Sequence, residues 1–286
     1  MPISHFIILL TSLLCSLGRA DVNIVTTIKP LQMIAEAVVQ EYGSVSSIVD
    51  PQQSPHHFTV SPSDRINLAR ADMAVWIGPL LETHISDFFV QAGFKAKTIT
   101  VIDTPGLQLH SIGDGQLDTH LWLDSSNAVR IAKVIAERAA DMDPVNAISY
   151  HQNLKKFSSE IESKNKQIAQ KFQAPSATNY AVYHNAYQYF EKQFGLQHEM
   201  VILLDPEVQP GIREIIELRR QVKRQQPSCL LVEFDSSSDL VSTVLNGHEL
   251  KQITVDLLGS NVNPRGNAYS KYIATLADDF YQCLYD

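Results

Sequence analysis

The chain has 286 residues, a formal net charge of −8, 44% hydrophobic residues and 19% charged residues. That length holds one large domain or two modest ones, and the composition is that of an ordinary globular protein. The acidic balance disfavours nucleic acid, whose phosphates need clustered Lys and Arg, and is compatible with a cation as ligand.

Phe6 to Leu14 is an apolar run too short to span a bilayer. It ends at Gly18-Arg19-Ala20, with small residues at the two positions a signal peptidase reads, so residues 1–20 are predicted to be a cleaved secretory signal. The start carries no Lys or Arg, only His5. Beyond Ala20 no apolar stretch is long enough to cross a membrane, so the mature chain is expected to be soluble, without stable membrane insertion. Removing the signal removes Cys15 and leaves Cys229 and Cys283. In an exported chain that pair reads as one disulfide, with two buried thiols as the alternative.

Short β-rich apolar runs then alternate with helical patterns. Asn23–Ile28, Val45–Asp50, Met73–Gly78 and Thr98–Asp103 are predicted strands. Amphipathic stretches lie near Leu31–Gln40, Ser63–Ala71 and Leu81–Gln91. Ser61-Pro62-Ser63-Asp64 is a helix start, with Ser61 as cap and Asp64 three residues on. Ser125 is predicted to cap a helix running to Asp141. Asp143–Phe172 has few strong apolar positions and no Pro or Gly after Pro144. It reads as one stiff helix of about 28 residues, roughly 40 Å long. The second half repeats the alternation. Strands are predicted at Tyr180–His184, Met200–Leu204, Cys229–Phe234 and Ile253–Leu257. Helical patterns fall near Tyr187–Gln193, Ile212–Arg224, Asp239–Leu245 and Ser270–Leu284, with Gly195 placed for a helix C-cap. The predicted fold class is therefore α/β, with two lobes that each carry a parallel sheet flanked by helices. The boundaries are residues 1–20 for the signal, 21–142 for the first lobe, 143–173 for the connecting helix and 174–286 for the second lobe.

The chain has ten histidines, of which His5 falls in the signal. His84, His151, His198 and His248 sit in polar, helical or acidic surroundings and read as solvated surface residues. Three others are placed differently. His56 follows the strand ending at Asp50, His120 precedes a predicted helix, and His184 ends a strand. Asp256 also ends a strand. In open parallel sheets the carboxyl edge forms the ligand crevice, so these four residues could meet between facing lobes. Three imidazoles and a carboxylate make a tetrahedral zinc set. The spacing contains no short-range metal motif, and on spacing alone a scatter of unrelated histidines is the competing reading.

Longer stretches narrow the choice. Ser54-Pro55-His56-His57-Phe58 leads to Ser61-Pro62-Ser63-Asp64, and Ala71-Asp72-Met73-Ala74-Val75-Trp76-Ile77-Gly78-Pro79 follows. Thr119-His120-Leu121-Trp122-Leu123, Tyr183-His184-Asn185-Ala186-Tyr187-Gln188-Tyr189-Phe190, Pro206-Glu207-Val208-Gln209-Pro210-Gly211 and Asp256-Leu257-Leu258-Gly259 complete the set. In this order they resemble the ZnuA-type periplasmic zinc-binding proteins of ABC transporters, within the cluster that binds zinc or manganese. The resemblance runs through the whole mature chain. It implies two α/β lobes joined by a long helix, Zn(II) held in the cleft by His56, His120, His184 and Asp256, and a disulfide between Cys229 and Cys283. It further implies a monomeric carrier that hands zinc to a membrane permease and is not an enzyme. Asn185 follows the third ligand where many members have Asp, and its amide is a candidate to orient an imidazole. Glu233-Phe234-Asp235 stands where Glu-Pro-Gln is usual, and Thr104–Thr119 is short and holds only His110 where zinc-type members often carry a long loop rich in His and Asp. An imidazole at position 184 favours Zn²⁺ over Mn²⁺, which prefers oxygen. The competing functions are a manganese- or iron-binding member of the same cluster and an exported metalloenzyme. A stiff connecting helix predicts that binding depends more on ordering of local loops than on a wide hinge closure.

Overall fold

The computed structural model describes residues 21–112, 115–173, 179–204 and 208–285. The expected signal, and the opening Pro206-Glu207 of one family-like stretch, lie outside these residues.

The first half contains β1 (Val22–Thr26), α1 (Lys29–Val39), β2 (Gly43–Ser47), α2 (Pro62–Arg70), β3 (Met73–Trp76), two short helices α3 (Ser86–Phe89) and α4 (Ala92–Lys95), and β4 (Thr98–Thr100). Its strands pair in the order β2-β1-β3-β4, all parallel. A small antiparallel ribbon, β5 (Ser111–Ile112) and β6 (Gln116–Leu117), leads to α5 (Ser125–Met142) and α6 (Ala147–Lys171). The second half runs β7 (Tyr180–His184), α7 (Gln188–Phe194), β8 (Met200–Leu203), α8 (Ile212–Gln225), β9 (Cys229–Glu233), α9 (Ser238–Leu245), β10 (Lys251–Val255) and α10 (Ala268–Tyr285). These strands pair in the order β10-β9-β7-β8, again all parallel. The architecture is thus the predicted one: α/β, with two parallel sheets flanked by helices.

The inner strands of both sheets are buried on both faces, and the period of two along each strand assigns the sides. Ile24 and Val75 face the main core, while Val25, Ala74 and Trp76 pack outward beneath Leu68 and Phe89. Tyr180, Val182 and Leu231 face the same main core, while Ala181, Leu230 and Val232 pack outward against α8 and α9. The main core therefore crosses from one sheet to the other. It passes through α1, Trp122 and α5 to Tyr187 and Phe280 without a polar break. Close-packed interiors resist shear, so this continuity supports the expectation of little hinge motion.

Local chemistry explains several element ends. Ser61 caps α2 and Asp64 reaches back to its N–H, completing a capping box. Gly195 ends α7 at φ 71°, a left-handed position that favours glycine. The cap of α5 is Asp124, which accepts from the Ser126 N–H, and not Ser125 as predicted. A carboxylate one residue earlier is the better acceptor at a helix start. The predicted helix Leu81–Gln91 is broken into a 3-10 turn, Thr83–Ile85, and the short α3, with α4 following it. Buried Glu82 accepts from the N–H groups of Ile77 and Gly78, and this folds the chain back on itself.

The long helix starts at Ala147 rather than Asp143. Asp143–Asn146 forms a turn in which the Asp143 carboxylate accepts from Asn146 and the Tyr150 hydroxyl. Nor is α6 polar all round. Tyr150, Phe157, Ile161 and Ile168 make a buried stripe at helical spacing, packed against α1, α5 and α10. Cys229 of β9 and Cys283 of α10 form the disulfide, with Cα atoms 5.6 Å apart. Closing a loop of 54 residues stabilises the fold by about 4 kcal/mol in the chain-entropy treatment.

Candidate metal centre

Three separate segments of the chain deliver three imidazoles to one point. His56 lies in the loop after β2, His120 precedes the 3-10 turn Leu121–Leu123, and His184 is the last residue of β7. One nitrogen from each falls within 4.8 Å of the others. The Nε2 atoms of His56 and His120 are 3.3 Å apart. His120 and His184 are each only 5% exposed. Among the described residues this is the only group of three or more His, Cys, Asp or Glu side chains gathered closely enough to share an ion.

The His120 loop is fixed from the second half of the chain. The Tyr189 hydroxyl donates to the Asp118 carbonyl, the Tyr269 hydroxyl to the Trp122 carbonyl, and Trp122 Nε1 to the Leu257 carbonyl. Tyr272 donates to that same Leu257 carbonyl. This brace requires the close turn at Gly259 (φ 67°), where a Cβ would meet Met33 at 2.6 Å. His120 is oriented by its own strand end as well. Asp118, 1% exposed, accepts from both the His120 N–H (3.0 Å) and Nδ1–H (2.8 Å). A carboxylate only accepts, so the ring proton sits on Nδ1 and the Nε2 lone pair points at the other imidazoles.

His184 has a different neighbour. The β7–β9 register pairs Val182 with Leu231, so Glu233 continues it opposite His184. Glu233 Oε2 lies 3.8 Å from His184 Nδ1, beyond hydrogen-bond reach, and the Tyr187 hydroxyl donates to Oε1 at 2.5 Å. Burial, with the charge of Asp235 added, pushes the Glu233 carboxyl up to about 8. Burial also drives His56 and His184 toward neutrality. His56 is pulled down to about 3, with His120, His57 and His84 adding to the effect, and His184 lies well below its ordinary value. Converging imidazole nitrogens suit a divalent cation, because zinc binds the neutral ring.

Asp256 does not join them. It is absent from the converging group, and its carboxylate is taken up by the Ser260 N–H (2.8 Å), the Ser260 hydroxyl (2.8 Å) and the Asn261 N–H (3.2 Å). Its charge is felt by Lys29, Tyr272 and Asp279 instead. The residue follows β10, as the sequence implied, but it acts as the acceptor that closes its own turn. No hydrogen bond or ion pair at the three rings involves the Asn185 amide. The carboxylates beside the rings, Asp118 and Glu233, were not singled out from sequence. Asp118-Thr119-His120 places a carboxylate two residues before an imidazole, and Glu233 ends a strand just as His184 does. Those were the available signals.

Of the histidines read as bland, His198 is half-buried and bound to the buried carboxylate of Glu191 (2.8 Å), not solvated beside Glu199. His110 packs against Tyr189 with ring centroids 4.8 Å apart and planes tilted by 37°, and takes no part in the cluster. The cleft beside His56 and His184 has a volume of about 140 Å³ and is lined by Tyr183, Glu233 and Leu257. Pockets for organic ligands run from about 300 to 1,000 Å³, so the space suits an ion better than a metabolite.

Known proteins point the same way. The family described as "ZnuA: Zinc-uptake complex component A periplasmic" matches residues 24–283. The high-affinity zinc uptake system protein ZnuA of Brucella abortus (strain 2308) is 27% identical over 312 aligned positions, covering 94% of this chain and 93% of the relative. A crystal structure of ZnuA superposes with a TM-score of 0.80 at 21% identity, covering 92% of this chain and 99% of that one. The periplasmic zinc-binding protein TroA from Treponema pallidum gives a TM-score of 0.78 at 19% identity, with the same coverage of each chain.

Proposed function

The chain belongs to the ZnuA family of periplasmic zinc-uptake components, and from that premise we propose that it is the zinc-binding component of an ABC transporter, holding Zn(II) with His56, His120 and His184. The observation that carries this is the convergence of three imidazole nitrogens within 4.8 Å in a cleft of ion size. An all-imidazole set favours Zn²⁺ over Mn²⁺, which prefers carboxylate and carbonyl oxygen.

The action is capture and release, with no covalent chemistry. Zinc enters beside His56, whose loop lies at the rim, and meets His120 and His184 at the floor. Asp118 holds the His120 tautomer, so that ring needs no reorientation on binding. Glu233 places a carboxyl beside His184. Residues 21–142 and 174–286 act as the two lobes joined by residues 143–173, and the shared core keeps them from swinging widely. Release then depends on displacing the His56 loop, a task suited to a membrane permease that touches both rims. The carrier works as a monomer in the periplasm after its signal, residues 1–20, is removed. No helix among the described residues is long and apolar enough to cross a membrane.

The test is competition of the chelator-stripped mature protein against a chromophoric zinc chelator, repeated with Mn²⁺. Preferential, tight retention of zinc that is lost in His120→Ala supports the reading. Equal retention of zinc by that variant overturns it.

A further inference from the structure

We propose that Glu233 is the positioning residue of His184, accepting a hydrogen bond from Nδ1–H when zinc binds and so directing Nε2 to the ion. The inference rests on the zinc reading above and names the group that holds one of its three ligands. The three rings are not equally held. His120 Nδ1 is tied to Asp118 at 2.8 Å, and His56 Nε2 lies 3.3 Å from His120 Nε2. Among the described residues the His184 ring makes no hydrogen bond, and the carboxylate beside it is Glu233, with Oε2 3.8 Å from Nδ1. Both side chains are sequestered, 6% and 8% exposed. A metal-bound imidazole donates its other ring N–H to a carboxylate, a carbonyl or water, and that partner fixes the ring's orientation.

Glu233 is built into its place from several sides. β7 and β9 are paired strands with Val182 beside Leu231, so two residues further on His184 and Glu233 leave the sheet on the same face. The hydroxyl of the fully buried Tyr187 donates to Oε1 at 2.5 Å. The Glu233 N–H donates to Ser236 Oγ at 2.8 Å, and the Ser237 N–H to the Tyr183 hydroxyl at 3.0 Å, which secures the chain beyond the strand. With Oε1 engaged by Tyr187, Oε2 is the oxygen turned toward the ring. Closing 3.8 Å to roughly 2.8 Å takes about 1 Å of side-chain movement.

Charge leads to the same assignment. Three imidazoles bring no charge to a divalent ion, and an uncompensated buried charge is costly. No Lys or Arg among the described residues forms an ion pair with Asp118 or Glu233. The two carboxylates stand one behind each buried ring, and together they match the charge of the ion. A role confined to holding Tyr187 would be served as well by glutamine, which accepts the same hydrogen bond without a buried carboxyl.

The test uses the chelator-stripped mature protein, labelled with ¹⁵N-histidine and loaded with zinc. Long-range ¹H–¹⁵N spectra of the wild type should show His184 bound through Nε2, with a slowly exchanging proton on Nδ1. Glu233→Gln should bind zinc about 10- to 100-fold more weakly against a chromophoric chelator. Its apo melting temperature should be no lower than that of the wild type, and its His184 Nδ1 proton should move upfield and exchange faster. Wild-type affinity in Glu233→Gln overturns the assigned role. A fall in affinity with the Nδ1 proton unmoved overturns it as well, since the carboxylate would then act through space and not through the ring. Should Glu233→Gln fail to fold by circular dichroism, the wild-type spectrum decides: a slowly exchanging Nδ1 proton supports the role, and metallation through Nδ1 overturns it. Failure of the wild type to retain zinc overturns the three-histidine reading together with this one, whereas tight wild-type binding that Glu233→Gln leaves intact overturns this one alone.

Discussion

The Nε2 atoms of His56 and His120 stand 3.3 Å apart, the separation that two nitrogens bound to one tetrahedral zinc ion adopt, roughly 3.3 Å for Zn–N bonds of 2.0–2.1 Å. The two lone pairs are therefore arranged for an ion before one arrives. His184 supplies the third nitrogen from the other half of the chain, and its removal leaves a two-point site. His184→Ala should weaken zinc binding by more than tenfold in a chelator competition. The ring is buried, so truncation also leaves a cavity, and the apo melting temperature should fall by a few degrees without loss of the fold. His151, exposed on α6, serves as the control, and His151→Ala should leave zinc affinity unchanged.

Asp118 acts on the ion through His120. Its carboxylate accepts the Nδ1 proton at 2.8 Å and is 1% exposed. Asn in its place presents either an N–H or a carbonyl to that nitrogen, so the tautomer is no longer fixed. Second-layer carboxylates of this kind are worth about 10- to 100-fold in metal affinity. Asp118→Asn should reduce zinc affinity within that range. The imidazole ¹⁵N shifts of His120 should then report a mixture of tautomers in the apo protein. A variant with native affinity and a single Nδ1–H tautomer would refute the assigned role.

The alternating apolar runs made the two parallel sheets legible, because their inner strands are buried on both faces and read as short hydrophobic stretches. Ser61 and Asp64 announced the start of α2 for the same local reason that they form it. His56 and His184 were legible as residues at or beyond strand ends and His120 as a residue before a helix, and the family-like stretches around them assigned their grouping. Residues whose role depends on neighbours distant in sequence were harder to find. Glu233 sits beside His184 only because β9 pairs with β7. Asp256 is the converse case. Its position after β10 was readable, but the Ser260 and Asn261 donors that claim its carboxylate belong to a turn whose shape no periodicity encodes.

Protonation should separate the site from the rest of the fold. Burial and the neighbouring imidazoles hold His56 near 3, against 6.5 for the free ring, and His184 is also held well down. Below 6.5 the unfolded chain therefore takes up these protons before the folded one does. The corresponding stability is fully present above about 6.5 and is lost as pH falls toward 3. Glu82, raised to about 7, and Glu233, raised to about 8, act in the opposite sense and lose their contribution as pH rises through those values. The informative quantity is thus the difference between apo wild type and apo His184→Gln. Wild type should lose more melting temperature than the variant between pH 6.5 and 4. Parallel curves would mean that His184 is not held neutral by burial.

The Asp256 carboxylate accepts from the Ser260 N–H, the Ser260 hydroxyl and the Asn261 N–H, while Lys29 Nζ donates to the Ser260 carbonyl at 2.7 Å and so ties the same turn to the first half. Asp256→Ala leaves three donors without their acceptor. A lost charged acceptor costs on the order of 1–3 kcal/mol when the donors stay buried, and less here because the turn is partly exposed. Thermal melting should register that loss. Zinc affinity should change by less than tenfold, since no Asp256 oxygen belongs to the converging group. Asp256→Asn, which keeps an acceptor oxygen, should recover most of the stability and leave affinity at the wild-type value. A loss of 100-fold or more in both variants, with the melting temperature intact, would instead mean that zinc draws this carboxylate out of its turn and into the shell.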